Sequence, residues 1–223
     1  MLDGDVLRNL LDGARVTVTV TALAVAWGTV VAVTFGVASL SPNRAVRAAI
    51  RVYVEVLRGV SAIILLFWVF YALPPLTGIF LSPMQAGVLA LGLNLSAYGT
   101  EIVRGAVQAV PRGQREAAIA VNLTPWQRTW SIVLPQAVVT ILPPYGNLVI
   151  EVLKASALVS LITLSDIMRE AQVMRTQPGA DDLSIFTGVL LLYFAISLAI
   201  TGGVRLLERR FGRGLGIRAA GRG

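Results

Sequence analysis

The sequence contains no cysteine and no histidine, and its single lysine is Lys154. These absences exclude disulfide bridges and thiol nucleophiles, and they remove the side chain that most often binds metals or shuttles protons. A P-loop is excluded as well, because that motif needs a lysine directly after a glycine and Lys154 follows Leu153. The sequence therefore predicts no metal centre, no cofactor, no catalytic residue and no nucleotide site of its own.

Charged residues are also scarce. They make up 14% of the 223 residues, whereas a soluble domain carries about a quarter. Hydrophobic residues make up 56%, and the mean hydropathy is +0.75. A helical crossing needs about 20 apolar residues, and we predict five such spans, at 15–40, 51–73, 84–108, 136–157 and 185–204. The predicted fold is therefore an all-α integral membrane domain over residues 1–204, followed by a basic tail over 205–223.

Arginines are distributed unevenly among the connections between these spans. Residues 41–51, 108–135 and the tail are rich in arginine, whereas residues 74–83 carry no charge. By the positive-inside rule we expect the basic segments and the C-terminus in the cytoplasm and the N-terminus outside. The net charge of +7 then reflects topology, so we expect no nucleic-acid partner, and the tail is expected to contact anionic membrane lipid.

The segment 112–135 is unusually polar for a stretch between two apolar runs. Its first half is alanine-rich and helix-prone, and Asn122 suits the left-handed position after a helix end. Thr124 suits the cap of a second helix, which we expect to end at Leu134-Pro135 because proline biases its predecessor away from helix. A helix–turn–helix is predicted, which is either a docking surface or an ordinary interfacial linker.

The same segment resembles a known motif. Glu116-Ala117-Ala118, Asn122, Ile132 and Leu134-Pro135 match the spacing of the EAA loop in permease subunits of bacterial ABC importers. Asn122 stands where the family has glycine, and asparagine is the substitution that best preserves a positive φ. Residues 54–74, 94–118 and 142–167 resemble the polar amino acid permease branch, so most of the chain shares the resemblance.

The resemblance implies the permease fold of a type I ABC importer in the bacterial inner membrane, and a transport subunit that is not an enzyme. Its partners would be two copies of an ATPase subunit, a second permease of the same or a related chain, and an extracytoplasmic solute-binding protein. In that family the EAA helix docks on the ATPase subunit. The residues expected to couple to the ATPase are Glu116, Ala117, Ala118, Asn122, Leu123, Thr124 and Pro125.

The solute is expected to be small and polar. Residues 55–68 and 154–167 are similar to permeases for ectoine and hydroxyectoine, which are zwitterionic cyclic amino acids. An ordinary polar amino acid such as glutamine or histidine is the alternative solute. A channel-forming or structural membrane subunit is the alternative from a different class.

Acidic and basic residues recur three positions apart inside the apolar runs, a spacing that places both members on one helix face. An unpaired charge at mid-bilayer costs about 2.5–3.5 kcal/mol, so each pair can neutralise itself. For the first two pairs we expect a structural or gating role rather than solute contact. The pairs are Glu55/Arg58, Glu101/Arg104 and Glu151/Lys154.

The third pair follows Pro143, Pro144 and Gly146, which predict a broken or kinked helix near mid-membrane. Transporters form solute sites at broken helices of this kind. Lys154 could then hold the carboxylate of a zwitterion and Glu151 its cationic group, or the two could form an internal ion pair. The predicted solute pathway comprises Asn94, Tyr98, Glu101, Tyr145, Asn147, Glu151 and Lys154.

Overall fold

The computed structural model describes the backbone of residues 4–212, and the side chains of that range except those at positions 4–7, 115, 125 and 212. Every regular element in this range is a helix, as predicted. In chain order the α-helices are α1 (Gly4–Ala38), α2 (Arg44–Gly59), α3 (Ala62–Phe67), α4 (Leu73–Thr77), α5 (Pro83–Ala109), α6 (Arg112–Ala120), α7 (Pro125–Arg128), α8 (Leu134–Ala155), α9 (Ile167–Arg175) and α10 (Asp182–Gly212). Two π-helical turns (Trp68–Ala72 and Thr129–Val133) and a 3₁₀-helix (Ser156–Ile162) join some of them.

Four helical stretches are long and apolar enough to cross a membrane. They are Arg8–Ala38, Pro83–Ala109, Trp126–Ile162 and Asp182–Phe211. A fifth crossing is present if the bent pair Arg44–Gly59 and Ala62–Thr77 is taken as one span. This count agrees with the predicted all-α membrane fold.

The second predicted span, 51–73, falls on two helices with a break between them and not on one continuous helix. The chain bends by 102° between α2 and the helical stretch that begins with α3. Val60 and Ser61 have extended backbone, with ψ of 133° and 143°. Gly59 favours a helix end because glycine has poor helix propensity, and the apolar α3 then turns to bury Leu65 and Leu66 in the core.

Of the broken or kinked helix predicted in the fourth span, the break does not occur, because α8 runs without interruption through Pro143 and Pro144. Membrane helices tolerate proline where neighbouring helices and local adjustments compensate for the lost hydrogen bonds. Gly146 serves close packing here: a Cβ at this position would lie 2.7 Å from Cγ1 of Val204 on α10. The glycine therefore lets α10 approach α8.

Two further boundaries differ from the predictions. Leu134-Pro135 does not end a helix, because the π-turn Thr129–Val133 leads from α7 directly into α8, with the Leu134 N–H donating to the Thr129 carbonyl. The proline then occupies the first turn of α8, where no N–H is required. The predicted tail begins as a continuation of α10, which passes position 204 and reaches Gly212; residues 213–223 lie outside the described range.

The core forms where α1 packs along α5. Val20 and Ala24 of α1 meet Leu91 and Leu95 of α5 in one buried cluster. Small residues permit this approach: the Trp27 indole occupies the space that a side chain at Gly92 would fill, and its Nε1 donates to the Val88 carbonyl at 3.0 Å. α2 and α8 also pack against α5.

Candidate functional site

A polar cavity of about 300 Å³ lies beside the bend in the second crossing. Arg58 and Ser61 line it from the two sides of the bend, Asn94 and Tyr98 line it from α5, and Glu151 lines it from α8. Three of the predicted pathway residues, Asn94, Tyr98 and Glu151, therefore share one cavity. Arg58 and Ser61 were not among the predicted solute-pathway residues: Arg58 was expected in a structural or gating pair with Glu55, and both residues fall inside the predicted span 51–73.

Arg58 and Glu151 put opposite charges on the wall of this cavity. The Arg58 guanidinium carbon lies 5.1 Å from the centre of the Tyr98 ring, and the Tyr98 hydroxyl donates to the Arg58 carbonyl at 3.4 Å. The ion pairs in the described part of the chain are Asp12–Arg15, Glu101–Arg104 and Arg175–Asp182. Neither Arg58 nor Glu151 is in one, so both keep their charge available.

Only one of the three predicted acid–base pairs forms. Arg104 bonds Glu101 through two nitrogens, with its Nη2 2.6 Å from Oε2, and also donates to Gln108 at 3.0 Å. Glu55 and Glu151 make no ion pair within the described residues, so self-neutralisation was a wrong prediction for them. Arg58, at the last turn of α2, lies over the Tyr98 ring, which explains why it does not pair with Glu55.

A second polar cavity, of about 360 Å³, lies between α2 and α5. Its charged lining residues are Arg47, Arg51, Glu55, Arg58, Glu101 and Arg104. Arg58 lines both cavities, so the two lie next to each other along α2. The second cavity extends to Ser39 and Gln108, which lie near the end of the bundle predicted to face the cytoplasm.

The remaining predicted pathway residues lie elsewhere. The Tyr145 hydroxyl donates to Oγ1 of Thr29 at 2.7 Å, and its ring packs against the core. Asn147 and Lys154 are exposed and line neither cavity. The predicted pairing of Lys154 with Glu151 at a solute is therefore not supported, and Arg58 is the cation that shares a cavity with Glu151.

Residues 112–135, the segment predicted to couple to the ATPase (the coupling segment), contain the predicted turn. Asn122 has φ of +55°, which confirms the left-handed position. Its N–H donates to the Ile119 carbonyl at 2.9 Å, and the Leu123 N–H donates to Ala118 at 3.0 Å. This pattern is the Schellman motif that satisfies the last carbonyls of a helix. It ends α6 at this turn.

The second helix of the segment starts with a capping box. The Gln127 N–H donates to the Thr124 hydroxyl at 3.3 Å, and the Thr124 N–H donates to Oε1 of Gln127 at 2.9 Å. Two N–H groups at the helix start are thereby satisfied. The capping role of Thr124 was predicted correctly, and the side chain of Pro125 lies outside the described residues.

The coupling segment exposes an apolar surface. Ala118 is buried, whereas Glu116 and Ala117 are exposed. Trp126 and Trp130 are 70% and 51% exposed, and their ring centres lie 5.1 Å apart. Their four-residue spacing places them on one helix face, and this spacing is the sequence signal that could have revealed the exposed apolar surface.

Comparisons with known proteins agree with this architecture. The family described as "Binding-protein-dependent transport system inner membrane component" matches residues 24–213. The chain is 44% identical over 219 residues to the probable amino-acid ABC transporter permease protein y4tF of Sinorhizobium fredii, covering 96% of this chain and 92% of that protein. It is 31% identical to the glutamine transport system permease protein GlnP of Escherichia coli, with 90% and 92% covered.

A solved structure is similar over nearly the whole chain. It is a crystal structure of an amino acid ABC transporter with histidines, with a TM-score of 0.83, 31% identity, and coverage of 91% of this chain and 94% of that one. In this family the membrane component works with an ATPase and a binding protein. The chain therefore belongs to the inner-membrane components of binding-protein-dependent transport systems, as a multi-pass permease subunit of an ABC importer and not as an enzyme.

Proposed function

We propose that this chain forms part of an importer for a polar amino acid. The relatives support that solute class: one is named for amino acids, one for glutamine, and the solved transporter was crystallised with histidines. The ectoine interpretation depended on the wording of two short segments, and none of these three relatives bears that name. An ordinary polar amino acid is therefore the better-supported solute.

The observation that carries the proposal is the pair of opposite, unpaired charges in the 300 Å³ cavity. An amino acid presents a carboxylate and an ammonium group on one carbon. Arg58 can bind the carboxylate through two N–H groups, and Glu151 can accept from the ammonium group. Asn94 offers a donor and an acceptor for a polar side chain, and Ser61 supplies a hydroxyl. The carboxylate and the ammonium group of the solute would then be the counter-charges of Arg58 and Glu151.

The second cavity is the proposed route from this site toward the cytoplasm. Its lining contains four arginines and two glutamates, an excess of positive charge that suits the carboxylate end of the solute. The Glu101–Arg104 ion pair lies on its wall, and both side chains are partly exposed. In this proposal Glu101 belongs to the pathway as half of a gating pair, and it does not bind the solute itself.

The coupling segment is the proposed contact with the ATPase subunit. Glu116 and Ala117 project from α6, and the Schellman motif at Asn122 and the capping box at Thr124 hold the two short helices at a fixed angle. Leu123 and Pro125 complete the turn between them. We propose that this end faces the cytoplasm and that a second permease, the same or related, supplies the other half of the pathway.

The test is solute uptake by the importer reconstituted in proteoliposomes with its binding protein and ATPase subunit. Uptake of labelled glutamine, histidine and ectoine is compared for the wild type, Arg58→Gln and Glu151→Gln. Arg44→Gln is the matched control, because Arg44 begins the same helix and lines neither cavity. Both site variants should lose most uptake of the preferred amino acid while the control retains it.

Two results would contradict this proposal. Normal uptake by both site variants would remove the cavity from the solute pathway. Uptake of ectoine in preference to glutamine and histidine would restore the ectoine interpretation. A leak of solute without ATP would instead favour a channel.

A further inference from the structure

A third cavity, of about 600 Å³, lies between the coupling segment and the transmembrane helices. Its wall is mainly apolar: Val37 lies at the end of α1 and Leu40 just after it, Val107 comes from α5, and Val133 and Leu134 come from the passage into α8. It shares no lining residue with the two polar cavities, and α2, which borders both of those, contributes none to it. The third cavity is therefore separate from the proposed solute pathway.

Among the described residues that line this cavity, Arg128 is the charged one. Its Nε is buried and has no hydrogen-bond partner within the described range, and its side chain takes part in no ion pair there. A second guanidinium group lies near the rim, because Arg47 donates to the carbonyls of Ser41 and Pro42 at 2.7 and 2.9 Å. A buried, unsatisfied donor on a cation is costly, so the chemistry of the site calls for an anion.

The location indicates which anion. The cavity lies where the apolar run of α1 ends, at Ala38, and where the apolar run of α8 begins. Trp126 and Trp130 are exposed close by in sequence, and tryptophan is enriched at the boundary between membrane and water. Basic pockets between helices at the cytoplasmic boundary bind anionic lipid head groups, and an apolar wall beside such a pocket suits an acyl chain.

From these observations we infer that the third cavity binds an anionic phospholipid. One acyl chain lies against the Val37, Leu40 and Val133 wall, and the phosphate accepts hydrogen bonds from Arg128. Because the phosphate would contact the residue that ends α7, the lipid would also support the coupling segment. This site is distinct from the arginine-rich tail, residues 205–223, which contributes no residue to the cavity wall among the described residues.

The test uses the assembled importer in nanodiscs that contain equal amounts of phosphatidylglycerol and phosphatidylcholine. Native mass spectrometry measures the ratio of the two lipids that stay bound to the released protein. The variants are Arg128→Gln, which removes the charge, and Val37→Trp, which fills the cavity and keeps Arg128. The control is Arg8→Gln, which removes the same charge at an exposed position of α1 that lines none of the three cavities.

The wild type and the Arg8→Gln control should retain the same excess of phosphatidylglycerol over phosphatidylcholine. Arg128→Gln and Val37→Trp should each lower the ratio of the two lipids about fivefold, the factor that one arginine near an anionic surface contributes. An unenriched wild type, or enrichment that survives both variants, would overturn the inference. So would loss of ATPase stimulation in Arg128→Gln with unchanged lipid retention, because Arg128 would then pair with the ATPase subunit.

If Arg128→Gln does not assemble, the result for Val37→Trp decides the question, because that variant leaves the charge in place. Retained enrichment in Val37→Trp refutes binding in the cavity, and lost enrichment supports it. The measurement does not depend on the identity of the transported solute. Failure of this inference and failure of the proposed function are therefore distinguishable.

Discussion

The turn at Asn122 allows a quantitative test of the coupling segment. Its φ of +55° lies in the left-handed region, which costs an ordinary L-residue about 1–2 kcal/mol. Asparagine tolerates this region and glycine enters it without penalty. Asn122→Ala should therefore weaken the turn, whereas Asn122→Gly should preserve it or strengthen it slightly.

Little else holds this turn in place. Within α6, Ala118 is the buried residue among the described side chains, and the others are exposed. Tertiary contacts therefore cannot compensate fully for a disfavoured backbone. A loss of about 1–2 kcal/mol corresponds to a reduction of roughly 5- to 30-fold in the equilibrium constant for the ordered turn.

The assay is solute-stimulated ATP hydrolysis by the reconstituted importer at subsaturating ATPase subunit, so that weaker docking reduces the rate. Asn122→Ala should lower the stimulated rate and shift the titration with ATPase subunit to higher concentration, and Asn122→Gly should match the wild type. The thermal midpoint of the membrane domain should be equal in all three proteins, because the residue lies outside the core. Equal stimulation by the alanine and glycine variants would refute the reasoning.

Three other changes separate packing from function. Gly92→Ala should lower the thermal midpoint in detergent sharply, because the added Cβ would overlap the Trp27 indole and overpacking costs about 1–3 kcal/mol; an unchanged midpoint would contradict the close packing of α1 and α5. Tyr145→Phe should cost about 0.6 kcal/mol through loss of the bond to Thr29 and should leave the KM for uptake unaltered, whereas a raised KM would return Tyr145 to the solute pathway. Burial raises the pKa of the Asp166 carboxyl to about 6, so the folded state binds its proton more readily than the unfolded state and the free energy of unfolding should fall as pH rises from about 4 to 6. Asp166→Asn should abolish that component in thermal unfolding followed across this pH range, and an unchanged pH profile would show that the buried carboxyl is not its source.

Composition and local pattern determined much of this protein. Scarce charge and long apolar runs indicate a helical membrane domain, because hydrocarbon requires backbone groups to be satisfied within each helix. The turn at Asn122 and the cap at Thr124 follow from the conformational and hydrogen-bonding preferences of single residues. Such features depend on neighbours within four or five positions, and the sequence contains that information directly.

The tertiary structure decided where helices break and which charges meet. Pro143 and Pro144 signal a break that does not occur, and the chain bends instead at Val60 and Ser61. Whether a helix continues past a proline depends on whether neighbouring helices compensate for the lost hydrogen bond. The direction of the next helix depends on which of its apolar faces packs into the core. Neither the compensation by neighbouring helices nor the packing of the core can be read from local sequence.

The same reason explains the charged residues of the site. The i, i+3 spacing suggested that Glu151 meets Lys154, but Arg58, from a helix 93 positions earlier in the sequence, shares the cavity with Glu151. Spacing along one helix fixes only which face a residue occupies. Which helices face each other is a property of the whole packed bundle, because the 102° bend and the close approach of α1 to α5 together determine which side chains line a common cavity.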